Sequence, residues 1–292
     1  MGKAVKRKRP RVIGIVVNRK KAEARARLAE LLELLADHGA RSLVERDARG
    51  SRTGHSIAAL GRQADLLIVL GGDGTILRVA RELEGAPTPI LGVNLGSLGF
   101  LTSIRSDELN VVTAQVLRGG YATSRRRTVA ATVLRKGKPL ATYHALNDSV
   151  LARSTLSRIV RLRLSIDGEW LTEYTCDGMI FASATGSTAY SLSAGGPILL
   201  PTARACVLTP ICPHALSNRS LILGENSVVR CQVTRAAGRL LLTMDGQVHT
   251  RLMVGDEVEM RGGSHTVRLV TPPGHVYFEL LRQKLKWSGS NV

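Results

Sequence analysis

A glycine-rich turn between a buried strand and a helix constrains the fold of this chain more than any other feature. The apolar run 65–70 (DLLIVL) ends directly in the turn 71–75 (GGDGT), and a helical pattern follows over 76–83. Further strand-like and helical runs alternate before this turn and after it, at 11–18, 21–38, 89–93 and 106–117. This alternation is typical of a parallel α/β sheet, in which ligands bind beyond the carboxyl ends of the strands.

The pattern changes after Arg127, where period-two alternation and tight-turn signals predict a β-rich region. Asp167-Gly168 between two alternating runs is a strong hairpin signal. Strands are predicted at 128–134, 141–152, 159–166, 169–175, 227–234, 239–244 and 265–270.

These patterns predict an α/β protein of two domains. The first is an open parallel α/β domain over 1–126 and 272–292, to which the final segment 276–287 is expected to return. The second is a β-rich domain over 127–271. A chain of 292 residues has the length of about two domains.

The charge of the chain favours anionic partners. Its 41 basic and 23 acidic residues give a formal net charge of +18. Only 3% of the residues are aromatic, which argues against single-strand stacking platforms, and no helix-turn-helix, zinc-finger or RNP signature occurs, so nucleic acid is not expected as a partner. The basic N-terminal tail is expected to be a solvated extension, and it contains Lys3, Lys6, Arg7, Lys8, Arg9 and Arg11.

Several other functional classes lack support in the sequence. No apolar run approaches the roughly 20 residues that span a bilayer, so we expect a cytoplasmic protein without a membrane partner. The four cysteines lack CxxC spacing, which argues against a zinc site and favours reduced, mostly buried thiols. No HExxH, GxSxG or GxxxxGK[ST] sequence occurs.

The turn 71–75 combines a phosphate-binding feature with an acid. Glycines let a ligand approach the backbone, and the N–H groups at a helix start suit phosphate. Asp73 repels phosphate, so it needs another role: taking a proton from a hydroxyl, or holding a metal that bridges to phosphate. The alternative is an ordinary Asp-Gly turn after a strand.

Four further stretches carry polar side chains in patterns that suit a nucleotide. Asn147 can donate and accept hydrogen bonds, which suits a purine edge, and Asp148 can accept them from ribose hydroxyls. The alternative for this pair is a polar strand end, and for the hydroxyl-rich stretch it is a capped, buried helix. The four stretches are 94–101 (NLGSLGFL), 145–151 (ALNDSVL), 184–197 (ATGSTAYSLSAGGP) and 245–247 (DGQ).

The turn 71–75 resembles the signature of the superfamily that contains NAD kinases, 6-phosphofructokinases and lipid kinases. Together with the four other stretches, in the same order and spacing, the chain resembles the NAD kinase family. The resemblance implies transfer of a phosphoryl group from ATP or polyphosphate to the 2′-hydroxyl of the adenosine ribose of NAD+, which yields NADP+. It also implies a divalent ion, Mg2+ being expected, held by substrate phosphates and water rather than by dedicated protein ligands.

The resemblance also assigns residues. Asp73 is the expected general base. Phe100 is placed at the adenine pocket, although a core position suits it equally. The residues expected to bind nucleotide are Gly71, Gly72, Gly74, Thr75, Arg78, Asn94, Phe100, Asn147, Asp148, Arg158, Thr175, Asp177, Thr185, Thr188, Ala189, Tyr190, Ser191, Leu192, Ser193 and Gln247.

Two departures from the family pattern and two competing functions remain. Asp148 stands where many members have glutamate, and Ala184 where many have proline. Arg78 and Arg158 are also compatible with plain exposed arginines. The competing functions are a lipid kinase of the same superfamily and a non-catalytic NADP(H)-binding regulator. The family also implies a homo-oligomer, either a dimer or a tetramer.

Overall fold

The computed structural model describes residues 9–46, 54–96, 99–153, 159–215, 217–236, 238–274 and 276–287. The basic residues before Arg9, and Arg158, lie outside the described residues. The chain divides into two compact units. The first takes in the chain up to Ser124 and again from Arg268, and the second runs from Arg125 to Val267.

The first unit alternates strands and helices. Its strand β1 is buried along its centre, and its strands β3 and β4 are buried throughout. The elements up to residue 117 are β1 (Val12–Val17), α1 (Ala24–Asp37), β2 (Arg41–Val44), α2 (Ile57–Gln63), β3 (Leu66–Gly71), α3 (Asp73–Glu82), β4 (Ile90–Asn94), β5 (Ile104–Arg105) and α4 (Leu109–Leu117).

The strands of this unit form a parallel sheet in the order β2, β1, β3, β4. Helix α1 buries Leu31 and Leu35 against it, which is the apolar stripe that the helical spacing predicts. Gly71 pairs with Asn94, so the turn after β3 and the loop after β4 emerge at the same carboxyl edge of the sheet. The prediction of a parallel α/β domain is therefore confirmed.

The sequence patterns misplaced one helix start and missed three elements. Helix α3 begins at Asp73 rather than at Ile76, so the predicted base lies in the first helical turn. The short elements β2, β5 and α2 were not predicted. Strand β2 has four residues of which only Leu43 is buried, too few for a periodic signal, and α2 is revealed mainly by the Ser56 cap, which accepts the Ala59 N–H.

The second unit is built almost entirely of strands. Its elements, with those that end the chain, are β6 (Ala122–Arg135), β7 (Lys138–Ala145), β8 (Asp148–Arg153), β9 (Val160–Ile166), β10 (Glu169–Cys176), β11 (Gly178–Ser183), α5 (Tyr190–Ser193), β12 (Ala205–Ile211), β13 (Leu221–Gly224), β14 (Val229–Ala236), β15 (Leu240–Met244), β16 (Val248–Leu252), β17 (Glu257–Thr271) and α6 (Tyr277–Leu285).

Two antiparallel groups of strands enclose the core of this unit. One runs β10, β9, β14, β17, with β6 between β17 and β7, and the other runs β13, β12, β11, β8, β15, β16. Between them lie Phe181, Leu151, Leu162 and Cys231, all without solvent exposure. The Asp167-Gly168 hairpin forms as predicted, with φ of 53° and 90°.

Two strand predictions in this region need correction, and four strands were missed. The run 141–152 is two strands, because β7 ends at Ala145 and β8 begins at Asp148 in the other group of strands. The run 265–270 is only the end of β17. Strands β11, β12, β13 and β16 were not predicted.

The end of the chain returns to the first unit, as expected. The last residues of β17 pair in parallel with β4 at Leu269 and Ile90, and α6 belongs to the same unit. None of the helices in the described ranges is long and apolar enough to cross a membrane. All four cysteines are free, and only Cys212 is exposed, which confirms the prediction of mostly buried thiols.

Candidate functional site

Asp73 is fixed by the loop that follows β4. Its Oδ2 accepts the Phe100 N–H at 2.8 Å, and its Oδ1 accepts the N–H groups of Leu101 and Thr102, both at 3.1 Å. The Thr102 hydroxyl lies 3.5 Å from Oδ1. Since a carboxylate oxygen has two lone pairs, Oδ2 keeps one lone pair beyond these contacts within the described part of the chain. The half-buried Asp73 carboxylate is therefore held in one orientation with one acceptor direction left over.

The glycines around Asp73 have different functions. A methyl group on Gly99 would overlap the Asp73 carboxylate, and one on Gly71 would overlap the Thr75 side chain. A methyl group on Gly72 would meet nothing closer than Asn94 Oδ1 at 4.0 Å. Gly71 and Gly99 are thus required by the protein's own packing, whereas Gly72 leaves open space at the start of α3.

Other polar side chains meet at this carboxyl edge of the sheet. Asn94, only 3% exposed, places its Oδ1 near Gly72 and Gly96. The Thr75 hydroxyl accepts a long hydrogen bond of 3.4 Å from Asn18, which follows β1. Lys21 Nζ would lie 3.4 Å from a methyl group on Gly96, so a positive charge reaches the same loop. Asn18 and Lys21 were not predicted, because nothing in the sequence ties the segment after β1 to this edge.

Arg78 is occupied by acids of its own unit. Its guanidinium forms a two-pronged ion pair with Glu45, with Nη2 3.1 Å from Oε2, and Glu82 lies 3.7 Å away. The Glu45 hydrogen bond is the main reason that the pKa of Arg78 is raised above its usual value. Arg78 is therefore not a bare exposed arginine, and its expected contact with nucleotide phosphates stays a prediction.

In the second unit, Asn147 and Asp148 stand at a turn that a third residue holds. The Asp245 carboxylate accepts the N–H groups of Leu146 at 2.9 Å, Asn147 at 2.7 Å and Asp148 at 3.2 Å. The Asp245 N–H in turn donates to the Asp148 carbonyl at 3.0 Å. This turn ends β7 and starts β8, which explains why one predicted strand is two.

Asp148 is a buried acid, 5% exposed. Burial, followed by the negative charge of Asp245, raises the pKa of Asp148 to about 7. Within the described residues no group donates a hydrogen bond to its carboxyl, which leaves the carboxyl available to a ligand. With a pKa of about 7, both the protonated acid and the carboxylate are present near neutral pH.

Ser183, and Gly186 at the start of the segment 184–197, lie tightly against the Asn147 turn. The Ser183 N–H donates to the Asn147 carbonyl at 2.8 Å, and the Ser183 hydroxyl donates to the Leu146 carbonyl at 2.6 Å. A methyl group on Gly186 would overlap the backbone of Asn147, so only glycine allows this approach. The Thr185 hydroxyl is buried and has no hydrogen-bond partner among the described residues, which leaves it available to a bound molecule.

Among the remaining residues of this segment, some side chains are buried in the protein and others are exposed to solvent. Ser187 is buried and donates to the Ala184 carbonyl at 2.8 Å, while Ser191 bonds the Thr209 hydroxyl at 2.9 Å. Tyr190 is 46% exposed. The expected helix near Ser187 is a single turn of 3-10 helix followed by the short α5. Thr188, Ala189 and Leu192 are half-buried, and Ser193 is exposed.

Asp177 lies between β10 and β11 and is not at a hairpin turn, because those strands belong to different groups. Its Oδ2 accepts from Arg153 Nη2 at 2.8 Å. Thr175 precedes it, and the Thr175 carbonyl accepts the His214 N–H. Gln247 is exposed beside Asp245 in the turn between β15 and β16.

In the second unit, three residues escaped the sequence analysis as site residues: Asp245, Arg153 and Ser183. Asp245 stands in the recognised Asp-Gly-Gln stretch, so its motif was visible, but only the fold brings it to Leu146–Asp148. Arg153 and Ser183 lie in strands and carry no local signal. In the described residues no three His, Cys, Asp or Glu side chains group to hold a metal ion.

Two proteins that resemble this chain over most of their length are NAD kinases. An NAD kinase of Syntrophotalea carbinolica is 44% identical over 241 residues, which cover 82% of this chain and 85% of the relative. An NAD kinase of Solibacter usitatus is 39% identical over 277 residues, covering 94% and 96%.

Solved structures agree with the fold. The structure of yeast NADH kinase complexed with NADH matches with a TM-score of 0.86 and 28% identity, covering 98% of this chain and 90% of that one. An NAD kinase from Archaeoglobus fulgidus in complex with ATP has the same fold, with a TM-score of 0.76 and 22% identity, covering 95% of this chain and all of that one.

Family models complete the assignment. The N-terminal domain of ATP-NAD kinase matches residues 13–121, and the C-terminal domain of ATP-NAD kinase matches residues 146–271. These models describe NAD kinases rather than the lipid kinases that share the Gly-Gly-Asp-Gly-Thr turn. With both domain models matched in order and relatives near 40% identity over most of its length, the chain belongs to the NAD kinase family.

Proposed function

We propose that this protein is an NAD+ kinase that transfers the terminal phosphoryl group of ATP to the 2′-hydroxyl of the adenosine ribose of NAD+, with Asp73 as the general base. The observation that carries the proposal is the Asp73 carboxylate, which three backbone N–H groups orient at the start of α3. A base that is already oriented loses little freedom when it meets the hydroxyl. The family assignment supplies the reaction.

The start of α3 suits the phosphates of the donor. The N-terminal end of a helix carries partial positive charge, and Gly72 leaves room for a phosphate oxygen near the backbone. Lys21 adds a full charge at the same edge of the sheet. Polyphosphate has the same repeating anionic groups as the ATP tail, so it is proposed as an alternative donor.

The side chains of the described residues suit a divalent ion that is bound mainly by the nucleotide. The described residues offer no cage of three acidic side chains, and Mg2+ is ordinarily held by one or two carboxylates, waters and substrate phosphates. When bound, Mg2+ would neutralise charge on the transferring phosphoryl group. Asp73, with its one remaining acceptor direction, is the described side chain at α3 that best suits such an ion or the hydroxyl proton.

The acceptor is proposed to bind through the second unit. Asn147 is suited to the adenine edge, Asp148 to the ribose hydroxyls and the unpartnered Thr185 hydroxyl to either. Asp177 is proposed to face the nicotinamide side, with Arg153 fixing its carboxylate. Phe100, Asn94, Tyr190, Ser193 and Gln247 remain proposed contacts on the strength of the family motif.

Assembly and location are inferred from the family. We propose a homo-oligomer, a dimer or a tetramer, that works in the cytoplasm. Sedimentation of the purified protein tests the first statement, and a single monomeric species at micromolar concentration contradicts it.

A panel of donors and acceptors tests the function. The purified protein is incubated with Mg2+ and with ATP or polyphosphate as donor, and NAD+, NADH or diacylglycerol as acceptor. We expect NADP+ from NAD+ and ATP and no phosphorylated lipid. Binding of NAD+ or NADP+ without turnover under any donor would instead support a non-catalytic regulator and contradict the proposed activity.

A further inference from the structure

The Asp245 carboxylate holds more backbone than a hairpin turn requires. Asp245-Gly246 is a tight turn with φ of 51° and 64°, like Asp167-Gly168. In that second turn the Asp167 carboxylate accepts one distant N–H, from Val228 at 2.8 Å. Asp245 instead accepts three consecutive N–H groups from residues about 100 positions away in sequence. Asp245 therefore fixes the conformation of a segment other than its own.

The segment that it fixes carries the two side chains proposed to bind the acceptor. The three N–H groups belong to Leu146, Asn147 and Asp148, so the backbone from which two proposed ligand contacts project is held at three successive points. The Ser183 hydroxyl and N–H hold the carbonyl groups of Leu146 and Asn147 from the other side. Asn147 and Asp148 thus project from a backbone with little freedom.

We infer that Asp245 is a positioning residue for the phosphorylation of NAD+, which acts through the backbone of Leu146–Asp148 so that Asn147 and Asp148 are presented to the dinucleotide in one geometry. This inference rests on the proposed function, because the reaction gives the two side chains their role. The Asp245 carboxylate binds backbone N–H groups of the protein itself, so we assign Asp245 no contact with the reacting atoms.

The charge of Asp245 has a second effect on the same site. Asp148 pairs with the neutral Ala182 of β11, and among the described residues the charge that acts on Asp148 is that of Asp245, next to β15. A like charge favours the protonated form of a buried acid. Protonated Asp148 can donate a hydrogen bond to an acceptor atom of the adenosine, which the carboxylate cannot do.

Substitutions at the two Asp-Gly turns separate positioning from general stability. Asp245→Ala removes all three contacts, and Asp167→Ala is the matched control, because it removes a carboxylate from an equivalent turn that contacts Val228 and joins strands of the other group. The KM and kcat for NAD+ and ATP are measured with each variant, and NAD+ affinity is measured separately by calorimetry. Thermal melts of both variants report folding.

The inference predicts that Asp245→Ala raises the dissociation constant and KM for NAD+ at least tenfold, with KM for ATP changed less than threefold. Asp167→Ala should change NAD+ affinity less than twofold. Equal effects of the two variants on NAD+ affinity would overturn the inference. A wild type that binds NAD+ but makes no NADP+ would refute the proposed function alone, because the calorimetric comparison still decides the role of Asp245.

Asp245→Asn keeps the shape of the side chain and removes its charge, so it serves if the alanine variant does not fold. Without the neighbouring charge the pKa of Asp148 is lowered, although burial still raises it, so the pH at which NAD+ affinity declines should move down. The amide keeps only one acceptor oxygen for the three N–H groups, so NAD+ affinity in Asp245→Asn equal to that of the wild type at every pH would contradict the inference.

Discussion

Two aspartates hold loops in the same way, one in each unit. Asp73 accepts the N–H groups of Phe100, Leu101 and Thr102, and Asp245 accepts those of Leu146 and its two successors. Hydrogen bonds between a carboxylate and backbone N–H groups are roughly twice as strong as neutral ones. In each case a single acid orders a loop that carries proposed ligand contacts.

Gly72 offers a test of ligand approach at the start of α3. Gly72→Ala should leave stability within about 1 kcal/mol of wild type, because its backbone is extended and open space surrounds it. NADP+ formation should nevertheless fall at least tenfold, since the methyl group takes the room proposed for a donor phosphate. Steady-state kinetics and urea unfolding measure the two effects. Unchanged kinetics would show that no ligand approaches Gly72.

The raised pKa of Asp148 predicts a pH-dependent stability. A buried acid whose folded pKa is about 7 binds its proton more tightly when folded, so its contribution becomes unfavourable as pH rises from about 4 to about 7. Asp148→Asn removes this penalty. The variant should gain on the order of 2 kcal/mol over wild type between pH 5 and pH 8.

Urea unfolding of wild type and Asp148→Asn at the two pH values measures this gain. Asp107→Asn is the control, since its side chain is 62% exposed and paired at the surface. A stability difference between Asp148→Asn and wild type that is the same at pH 5 and pH 8 would contradict the prediction.

At the level of strands and loops, the close contact between the segment 184–197 and the Asn147 turn depends on one glycine. Gly186→Ala would drive a methyl group into the Asn147 backbone, so we expect a loss of about 1–3 kcal/mol in stability and weaker NAD+ binding. Gly224→Ala is the matched control, because its nearest neighbour would be Ser227 Oγ at 3.8 Å. Equal melting temperatures and NAD+ affinities for the two variants would refute this account of the loop.

The strands and helices that could be predicted are those with a long or strongly patterned signal. Strands β1, β3 and β9 and helix α1 were predicted because burial on one or both faces leaves an apolar pattern in the sequence. Strand β2 and helix α2 are short and bury few side chains, so they leave no apolar pattern in the sequence. The break between β7 and β8 depends on Asp245, nearly 100 residues later, and no local pattern contains that contact.

The sequence predicted some residues of the candidate site and missed others. Motif resemblance singled out Asp73 in the first unit and Asn147 and Thr185 in the second, and each lies beside other residues of its own motif. Asp245 and Arg153 act on segments distant in sequence and were missed as site residues. The ion pair of Arg78 was also missed, because its partner Glu45 lies 33 residues earlier.

Across the whole molecule, the excess of positive charge fits a protein that binds two anionic nucleotides. With 41 basic and 23 acidic residues, the field should attract NAD+ and ATP at low ionic strength. We expect kcat/KM for both substrates to fall severalfold between about 0.05 M and 0.5 M salt, where the Debye length falls well below about 10 Å. If kcat/KM does not change with salt and the thermal melts are also unchanged, the positive charge does not steer the substrates to the protein.

The transfer of labelled phosphate from [γ-32P]ATP to NAD+ tests the central proposal most directly. The wild type and Asp73→Asn are compared, with NAD+ affinity measured for both, because the amide keeps an acceptor for the loop N–H groups but is not a base. We predict labelled NADP+ from the wild type and a rate lower by about 10²–10⁴-fold for Asp73→Asn, with NAD+ affinity retained. Transfer by Asp73→Asn at the wild-type rate would contradict the assignment of Asp73 as the general base.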